Sequence, residues 1–239
     1  MEQQPNEGIR INKYMASSGI CSRREADTLI ERGEITVDGI KAENGTRVLP
    51  GQKVIYKGQV VLPKEEKIYI ALHKPLGITC TTDRRDPDNI IDYLGFGDRI
   101  FPIGRLDKNS SGLILLTNDG DIVNRLLRAE YGHEKEYEVR VDHKLDDTFK
   151  PKMENGIPIL DTVTLPCKVV ITGPHTFRIT LKQGLNRQIR RMCDYLGYRV
   201  TKLRRIRFMT IELGNMKPGD KRFLTSKEIA SLKDLTCER

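Results

Sequence analysis

The chain has 239 residues, of which 38% are hydrophobic and 31% are charged. Its 41 Lys and Arg residues outnumber its 33 Asp and Glu residues, which gives a formal net charge of +8. This length and apolar content exclude a wholly disordered chain and allow one large domain or two smaller ones. The first residues lack the basic start and apolar stretch of a signal peptide, and the longest apolar runs are too short to span a membrane. We therefore expect a soluble, cytoplasmic protein that has no membrane partner.

The residues that most often carry metal or cofactor chemistry are scattered. The five cysteines form no CxxC pair and the four histidines form no HExxH motif, so neither a zinc site nor a disulfide framework is predicted. The sequence also lacks a GxxxxGKS/T phosphate loop, a GxGxxG dinucleotide turn and a GxSxG nucleophile elbow. We therefore expect neither a metal ion nor an organic cofactor.

The first 63 residues predict a small α+β module. A short helix is expected from Ile11 to Met15, and a second should begin at Ser22, because Ser22 and Glu25 have the spacing of a capping box. An apolar stripe follows in the second helix, and Gly33 should end it. Three short strands separated by turn dipeptides complete the module, and they are expected at residues 35–37, 54–56 and 59–62.

This module resembles the S4 RNA-binding domain over about residues 8–63. The resemblance rests on three strings, which are Arg10-Ile-Asn-Lys-Tyr14, Gly19-Ile-Cys-Ser-Arg-Arg-Glu-Ala-Asp27 and Gly33-Glu-Ile-Thr-Val-Asp-Gly39. It implies that Lys13, Arg23 and Arg24 lie on a helical surface that faces RNA phosphates. The alternative is that they are ordinary solvated side chains. We predict an S4 domain over residues 1–63, a linker over 64–68 and a second domain over 69–239.

The second domain contains a polar loop, Phe101–Gly112, that leads into the apolar strand Leu113–Leu116. Asp107 in this loop lies at the edge of a core, where a carboxylate can be held rigidly and still be reached. Asp107 can instead form an Asx turn with the backbone that follows it. A calcium loop is excluded, because Asn118 would occupy the position of the bidentate glutamate. A catalytic carboxylate is the third interpretation, and it needs a partner cation that orients it.

A basic stretch near the C-terminus, residues 182–207, supplies candidate partner cations. It holds nine Lys and Arg residues against Asp194 alone, and its net charge equals that of the whole chain. Such a concentration is typical of a surface that binds a polyanion, most often nucleic acid. A solvated basic face is the alternative interpretation.

Within this stretch, Gln183–Cys193 predicts a loop that enters a helix. The helix has an apolar stripe that should face inward, formed by Ile189, Met192, Cys193 and Leu196. Arg190 is adjacent to the stripe, so we expect it to turn inward. Arg187 and Arg191 are expected to point towards phosphate groups.

Three segments of the second domain together resemble the pseudouridine synthases of the RsuA/RluB/RluE/RluF branch. The matching strings are Gly104-Arg-Leu-Asp107 with Gly112-Leu113, Lys135-Glu-Tyr137 within the alternating strand Glu134–Val141, and Arg187-Gln-Ile-Arg190-Arg-Met192. An S4 module ahead of this core is the usual layout of the branch, so the resemblance spans nearly the whole chain. The strings at 133–139 and 184–193 are most similar to those of the F-type 23S rRNA enzymes.

The resemblance implies a catalytic set of Asp107, Tyr137 and Arg190. Asp107 would be the nucleophile, Arg190 would orient it, and Tyr137 would stack on the target uracil. Arg105 would fill the space that the flipped base leaves in the RNA. Whether Asp107 attacks the base or acts at the ribose is left open. The implied partner is RNA, namely 23S rRNA with a tRNA left open as a second substrate, and we expect a monomer that needs no cofactor.

The expected fold class is α+β, with the S4 module followed by a central antiparallel sheet that carries helices and has an active cleft between two sub-halves. Two rival functions remain: a non-catalytic S4-type RNA-binding or ribosome-assembly factor, and a tRNA synthetase that carries an S4 module. The synthetase is disfavoured because the sequence has no nucleotide-binding motif. The set of Asp107, Tyr137 and Arg190 favours an enzyme, because a binding module does not need a carboxylate opposite an arginine.

Overall fold

The computed structural model describes residues 8–127 and 132–237, which form two compact units. The division falls between Lys67 and Ile68, and residues 97–99 are grouped with the first unit. Each unit buries hydrophobic clusters of its own, so the two correspond to separate domains. Within the described ranges, no helix combines the length and the apolar character needed to cross a membrane.

From residue 8 onward, the first unit consists of a helix pair and short strands: β1 (Ile9–Arg10), α1 (Ile11–Ser17), α2 (Arg23–Glu31), β2 (Ile35–Val37), β3 (Ile40–Lys41), β4 (Arg47–Val48), β5 (Val54–Tyr56) and β6 (Gln59–Val61). β1 pairs with β4, and the other strands form an antiparallel sheet in the order β3-β2-β5-β6. The helices contact the sheet through a buried cluster that includes Ile11, Met15, Ile30 and Val54. The predicted α+β module is therefore confirmed, with β1, β3 and β4 as additional short strands.

The second helix, α2, begins at the predicted capping box. Glu25 N–H donates a hydrogen bond to Ser22 Oγ at 3.1 Å, and Ser22 N–H donates one to the Glu25 carboxylate. These bonds satisfy donors that have no partner inside the helix. At the other end, Gly33 N–H donates to Ile30 O at 2.8 Å. The helix thus starts and ends where its local sequence predicts.

The second unit is a large sheet with helices on it. Its elements in the described residues are β7 (Tyr69–Lys74), α3 (Ile90–Leu94), β8 (Phe101–Ile103), β9 (Ser111–Thr117), α4 (Gly120–Leu127), β10 (Lys135–Val141), α5 (Phe149–Glu154), β11 (Pro158–Ile159), β12 (Thr162–Val163), β13 (Lys168–Gly173), β14 (Thr176–Leu181), α6 (Gln188–Tyr195), β15 (Val200–Phe208), β16 (Ile211–Glu212), β17 (Lys221–Phe223) and α7 (Ser226–Cys237).

The strand order of this sheet is β13-β14-β10-β15-β9-β7-β17, with β16 beside β15 and β8 beside β9. The pairs in it are antiparallel except for the central pair of β15 and β9, which is parallel. The predicted antiparallel sheet is confirmed. The parallel pair is where its two halves join.

Gly112 makes this central pairing possible. Its φ of +109° lies in a region that residues with a Cβ rarely adopt. A Cβ placed on it would lie 2.2 Å from the carbonyl oxygen of Arg205, its register partner on β15. Only glycine therefore lets the two backbones approach this closely.

The two halves of the sheet bury different clusters. β10, β13 and β14 pack with α5 and α6 around Phe149, Phe177 and Met192. β7 and β9 pack with α4 and α7 around Leu115 and Phe208, and a further cluster lies between the sheet and α3. This arrangement confirms the expected division into two sub-halves.

Candidate active site

Asp107 lies in the loop between β8 and β9, and backbone hydrogen bonds fix this loop. Ser110 N–H donates to Asp107 O at 3.0 Å, and Gly77 N–H donates to Lys108 O at 2.9 Å. The main chain therefore closes the turn, and the Asp107 carboxylate takes no part in an Asx turn. Its side chain remains 34% exposed and can be reached from solvent.

Arg190, in the first turn of α6, is buried beneath the Asp107 loop. Its Nη2 donates to Asn109 O at 2.7 Å and to Ser110 Oγ at 3.3 Å, and its Nη1 donates to Val200 O at 3.2 Å. Its Nε lies 4.0 Å from Asp107 Oδ2 and has no hydrogen-bond partner among the described residues. Arg190 therefore holds the Asp107 loop through Nη2 and the start of β15 through Nη1, and it presents Nε to the carboxylate.

The electrostatic setting of Arg190 is unusual for an arginine. Burial lowers its pKa, the charge of Arg187 lowers it further, and Asp107 raises it. An arginine nevertheless stays protonated at neutral pH. Arg190 is thus a fixed positive charge with a poorly solvated N–H group aimed at Asp107.

Tyr137 lies on β10, between Ile179 of β14 and Arg205 of β15. It is half-buried and packs against clusters of both halves of the sheet. The aromatic ring therefore stands where the two halves meet, held by the sheet rather than by a loop.

A cavity of about 250 Å³ opens at this junction. Asp107, Tyr137, Arg105 and Arg187 all line it, whereas Arg190 lies behind Asp107. Among the described residues that line the cavity, Asp107 is acidic and five are cationic. The cationic residues are Arg105, Lys135, Lys182, Arg187 and Arg205. Such a wall suits an anionic ligand with a planar part, as a nucleotide is.

The two other arginines of the α6 region differ in their surroundings. Arg187 is exposed at the N-cap of α6, with a left-handed φ of +51°. Arg191 donates from Nε to Asn186 O at 3.1 Å and from Nη2 to Asn186 Oδ1 at 3.3 Å. Arg187 therefore faces the cavity, whereas Arg191 is engaged with the loop that precedes its own helix.

The residues predicted to contact RNA in the S4 domain all lie on its helices. Lys13 is on α1 and half-buried, and Arg23 and Arg24 are exposed in the first turn of α2. They belong to the first unit, and the cavity belongs to the second.

Lys74 is a neighbour of the site that the sequence did not reveal. It is fully buried at the end of β7, where its Nζ donates to Pro75 O at 2.9 Å and to Ile78 O at 2.8 Å. Burial lowers its pKa, whereas Cys80 and Asp107 raise it. A lysine that ends an apolar strand before a proline was the available signal, but such lysines are usually exposed.

Cys80 is a second neighbour that was missed. It is buried beside the loop and its Sγ accepts a hydrogen bond from Leu106 N–H at 3.3 Å. Burial raises the pKa of its thiol, so it stays protonated. Cys80 thus supports the backbone next to Asp107 as a small packed side chain.

The basic stretch at 182–207 is less available to a ligand than its charge suggests. Arg204 bonds to the carboxylate of Glu138, and Arg207 bonds to Glu136 at 2.9 Å and to Glu134 at 3.1 Å. Arg190 and Arg205 are also buried. The interpretation of the whole stretch as one polyanion surface is therefore too broad, because cross-strand glutamates neutralise part of it.

Two family profiles match the chain. Residues 9–54 match the S4 domain, and residues 68–195 match the RNA pseudouridylate synthase family. The second match covers more than half of the chain and includes Asp107, Tyr137 and Arg190.

Individual proteins and a solved structure agree with these profiles. The chain is 51% identical over 230 residues to the dual-specificity RNA pseudouridine synthase RluF of Escherichia coli K12, which covers 95% of this chain and 79% of that protein. It is 34% identical over 235 residues to the ribosomal large subunit pseudouridine synthase B of Bacillus subtilis, covering 95% and 96%. A crystal structure of a pseudouridylate synthase aligns with a TM-score of 0.68 at 26% identity, over 94% of this chain and 99% of that one. The chain therefore belongs to the RNA pseudouridylate synthase family and is an enzyme with an S4 domain, as its motifs predicted.

Proposed function

We propose that this enzyme converts a specific uridine of 23S rRNA, and a uridine of a tRNA, into pseudouridine with Asp107 as the nucleophile. The observation that carries the proposal is the position of the Asp107 carboxylate. It lines a cavity that Tyr137 also lines, and its Oδ2 lies 4.0 Å from the Nε of the buried Arg190. The names of the relatives support the substrates, since one is called dual-specific and another is named for the large ribosomal subunit. We further propose that it acts as a monomer in the cytoplasm, together with its RNA.

A base that remains stacked in folded RNA cannot enter a cavity of the protein, so the target uridine flips into it. Tyr137 stacks on the uracil, and Arg105, exposed at the cavity mouth, fills the space left in the RNA. Arg187 contacts a flanking phosphate. Arg191 contributes through the loop that it holds and through its charge.

The reaction breaks the bond between ribose C1′ and uracil N1 and forms a bond between C1′ and C5. A carboxylate can serve by attacking the ribose, by taking a ribose proton to give a glycal, or by attacking the base. In each route the Asp107 carboxylate must lie beside the nucleoside with a fixed orientation. Arg190 supplies that orientation through the Nε that faces Oδ2.

The S4 domain supplies affinity for RNA in this proposal. Lys13, Arg23 and Arg24 contact phosphates from α1 and α2. Phosphate contacts fix the position of a protein on RNA without reading its sequence. They bring the cavity to the target region, and the cavity selects the uridine.

The direct test is Asp107→Asn, compared with Asp161→Asn as a matched control in an exposed turn outside the cavity. Asn keeps the shape of the side chain and removes the charge, so we expect the single-turnover rate to fall by at least about 1,000-fold with little change in RNA affinity. The rate is measured as tritium release from RNA labelled at uracil C5. A residual rate within about tenfold of the unmutated enzyme would rule out the nucleophile assignment.

The substrate is tested by mapping pseudouridines in total RNA of cells with and without the gene. We expect one or more positions in 23S rRNA, and one in a tRNA, to be lost with the gene and restored by the unmutated gene but not by Asp107→Asn. Loss of positions in other RNAs only would contradict the substrate assignment and leave the nucleophile assignment standing.

A further inference from the structure

The cavity is lined by two cations from the sheet, Lys135 of β10 and Arg205 of β15. We call this pair the cationic floor. They flank the ring of Phe208, with Lys135 Nζ at 6.0 Å and Arg205 Cζ at 5.4 Å from its centroid. Within the described ranges, no carboxylate lies within 4.0 Å of either cation. The part of the chain that the structure describes therefore gives the two positive charges of the floor no counterion.

The hydrogen bonds of the floor leave donors unused. Arg205 is 2% exposed, and its Nε donates to Leu113 O at 2.6 Å. Its Nη2 is shut off from solvent and has no partner among the described residues. Lys135 Nζ donates to His133 O at 3.3 Å. A buried cation with an unused donor is costly, so this arrangement calls for a ligand that supplies negative charge.

Burial lowers the pKa of Lys135, and the charge of Arg205 lowers it further. The positive charge of Arg205 thus disfavours the protonated form of Lys135. An anion between the two side chains would favour the protonated form and give each cation a counterion.

The depth of the floor indicates which part of a nucleotide it meets. Arg105, Lys182 and Arg187 are exposed on the cavity wall. The ribose-phosphate chain has to continue out of the cavity, so phosphates meet these exposed cations, whereas the base enters furthest. Tyr137 lies two residues after Lys135 on the same face of β10 and opposite Arg205. The cationic floor therefore lies beside Tyr137, the residue proposed to stack on the uracil.

We propose that Lys135 and Arg205 stabilise the negative charge that the uracil carries during the reaction, and this rests on the proposed function. When C1′–N1 breaks, the bonding electron pair stays on N1 and spreads over O2 and O4. C1′ then either bonds to a carboxylate oxygen of Asp107, or C2′ gives its proton to that carboxylate and the freed electron pair forms a C1′=C2′ double bond. The uracil turns and C5 bonds to C1′, while the carboxylate either leaves C1′ or returns the proton to C2′. C5 then loses its proton and N1 gains one, so nothing else is consumed. Attack of Asp107 on the base would also place negative charge on O4.

Fixed cations act here as donors do in an oxyanion hole, because they are held in place before the charge develops. Removal of one such group costs about 100- to 1,000-fold in rate. Lys135 is the better site for a test than Arg205, because it is half-buried whereas Arg205 belongs to the core.

The test compares Lys135→Met with Lys168→Met, an exposed lysine on β13 outside the cavity. We expect Lys135→Met to lower the single-turnover rate by at least about 100-fold with saturating RNA, and Lys135→Arg to recover part of it. RNA affinity and its salt dependence should stay as in the control. If the affinity falls and the slope of log K against log salt drops by about one while the bound rate is kept, the lysine is a phosphate contact and the proposal is wrong.

A second measurement separates charge stabilisation from a structural role. RNA that carries 5-fluorouridine at the target position releases a base whose negative charge the fluorine already stabilises. The deficit of Lys135→Met in cleavage of the C1′–N1 bond should therefore be at least about tenfold smaller on this RNA than on uridine RNA. Equal deficits on both RNAs would overturn the proposal. A loss of rate caused by Asp107→Asn on both RNAs tests the proposed function separately, and its outcome does not depend on the floor.

Arg205→Lys is the corresponding change at the second cation, with thermal melting as the check on folding. We expect a smaller deficit on the 5-fluorouridine RNA for this variant as well. A folded Arg205→Lys enzyme with equal deficits on both RNAs would remove Arg205 from the proposal.

Discussion

Replacement of Gly112 by alanine tests the geometry at the centre of the synthase unit. The new Cβ would lie 2.2 Å from Arg205 O, 2.5 Å from Arg205 N and 2.9 Å from Arg205 C. All three are backbone atoms, so no side-chain rotation can relieve the contact, and β9 and β15 must move apart. The φ of +109° adds strain of its own.

The expected loss of stability in Gly112→Ala follows from the strained φ and from the clash with the backbone of Arg205. The backbone conformation costs an L-residue about 1–2 kcal/mol. Separation of the strands weakens at least one or two ladder hydrogen bonds, each worth about 1 kcal/mol. We therefore expect a loss of about 3 kcal/mol in the free energy of unfolding, which lowers the melting temperature of a unit of this size by roughly 6–12 °C.

Gly197→Ala is the matched control, because Gly197 has a φ of +87° and a Cβ there would meet nothing within 4 Å. It carries the conformational strain without the backbone clash. The assay is thermal unfolding of the full chain by calorimetry, followed by single-turnover kinetics at 20 °C. We expect Gly112→Ala to melt well below Gly197→Ala and to lose activity even where it is folded, because Arg205 is displaced. Equal melting temperatures for the two variants would refute the close approach of β9 and β15.

Two further predictions concern arginines. Arg190→Lys replaces a planar guanidinium, which donates through Nη1 and Nη2 and turns Nε towards Asp107, by one ammonium. Tritium release at saturating RNA should therefore fall at least about 100-fold with little change in affinity, and a loss of affinity alone would make Arg190 a phosphate contact. The double change Arg23→Ala and Arg24→Ala should weaken RNA binding and reduce the slope of log K against log salt by about one to two in filter binding, with the bound-state rate kept. Normal binding of this double variant at every salt concentration would exclude that face of the S4 domain as a docking surface.

Local sequence patterns were sufficient for much of the fold. The capping box at Ser22 and the apolar stripe of α6 are local patterns, and both are found as predicted. The strand before the linker follows from the turn dipeptides beside it, and the apolar strand after Asp107 follows from a short apolar run. Their observed ends differ from the predicted ones by one or two residues. These predictions succeed because each depends on residues that are close together in the chain.

The partners of the charged residues could not be predicted in this way. Arg204 and Arg207 look like part of a nucleic-acid surface in the sequence, but their glutamate partners lie on β10 or immediately before it, more than 60 residues earlier in the chain. Pairing of this kind depends on the register between β10 and β15, and that register shifts between Glu136 and Tyr137 and again between Arg140 and Val141. A sequence shows the charges, and only the strand pairing shows which of them are neutralised.

Arg205 has one feature that the sequence could predict, its burial, and one that it could not, its charge partners. Its position supports a role in the chemistry. The alternation of a strand places it on the same face as the buried Leu203, with Arg204 on the opposite face, so its burial was in principle predictable. The absence of a counterion for it among residues 8–127 and 132–237 was not predictable, because that depends on which side chains three other strands bring to the cavity. A structural arginine at such a position would normally be paired with a carboxylate, as Arg207 is. Local rules of stability are broken most often where a ligand restores the balance, and the cavity beside Arg205 is where a nucleotide would do so.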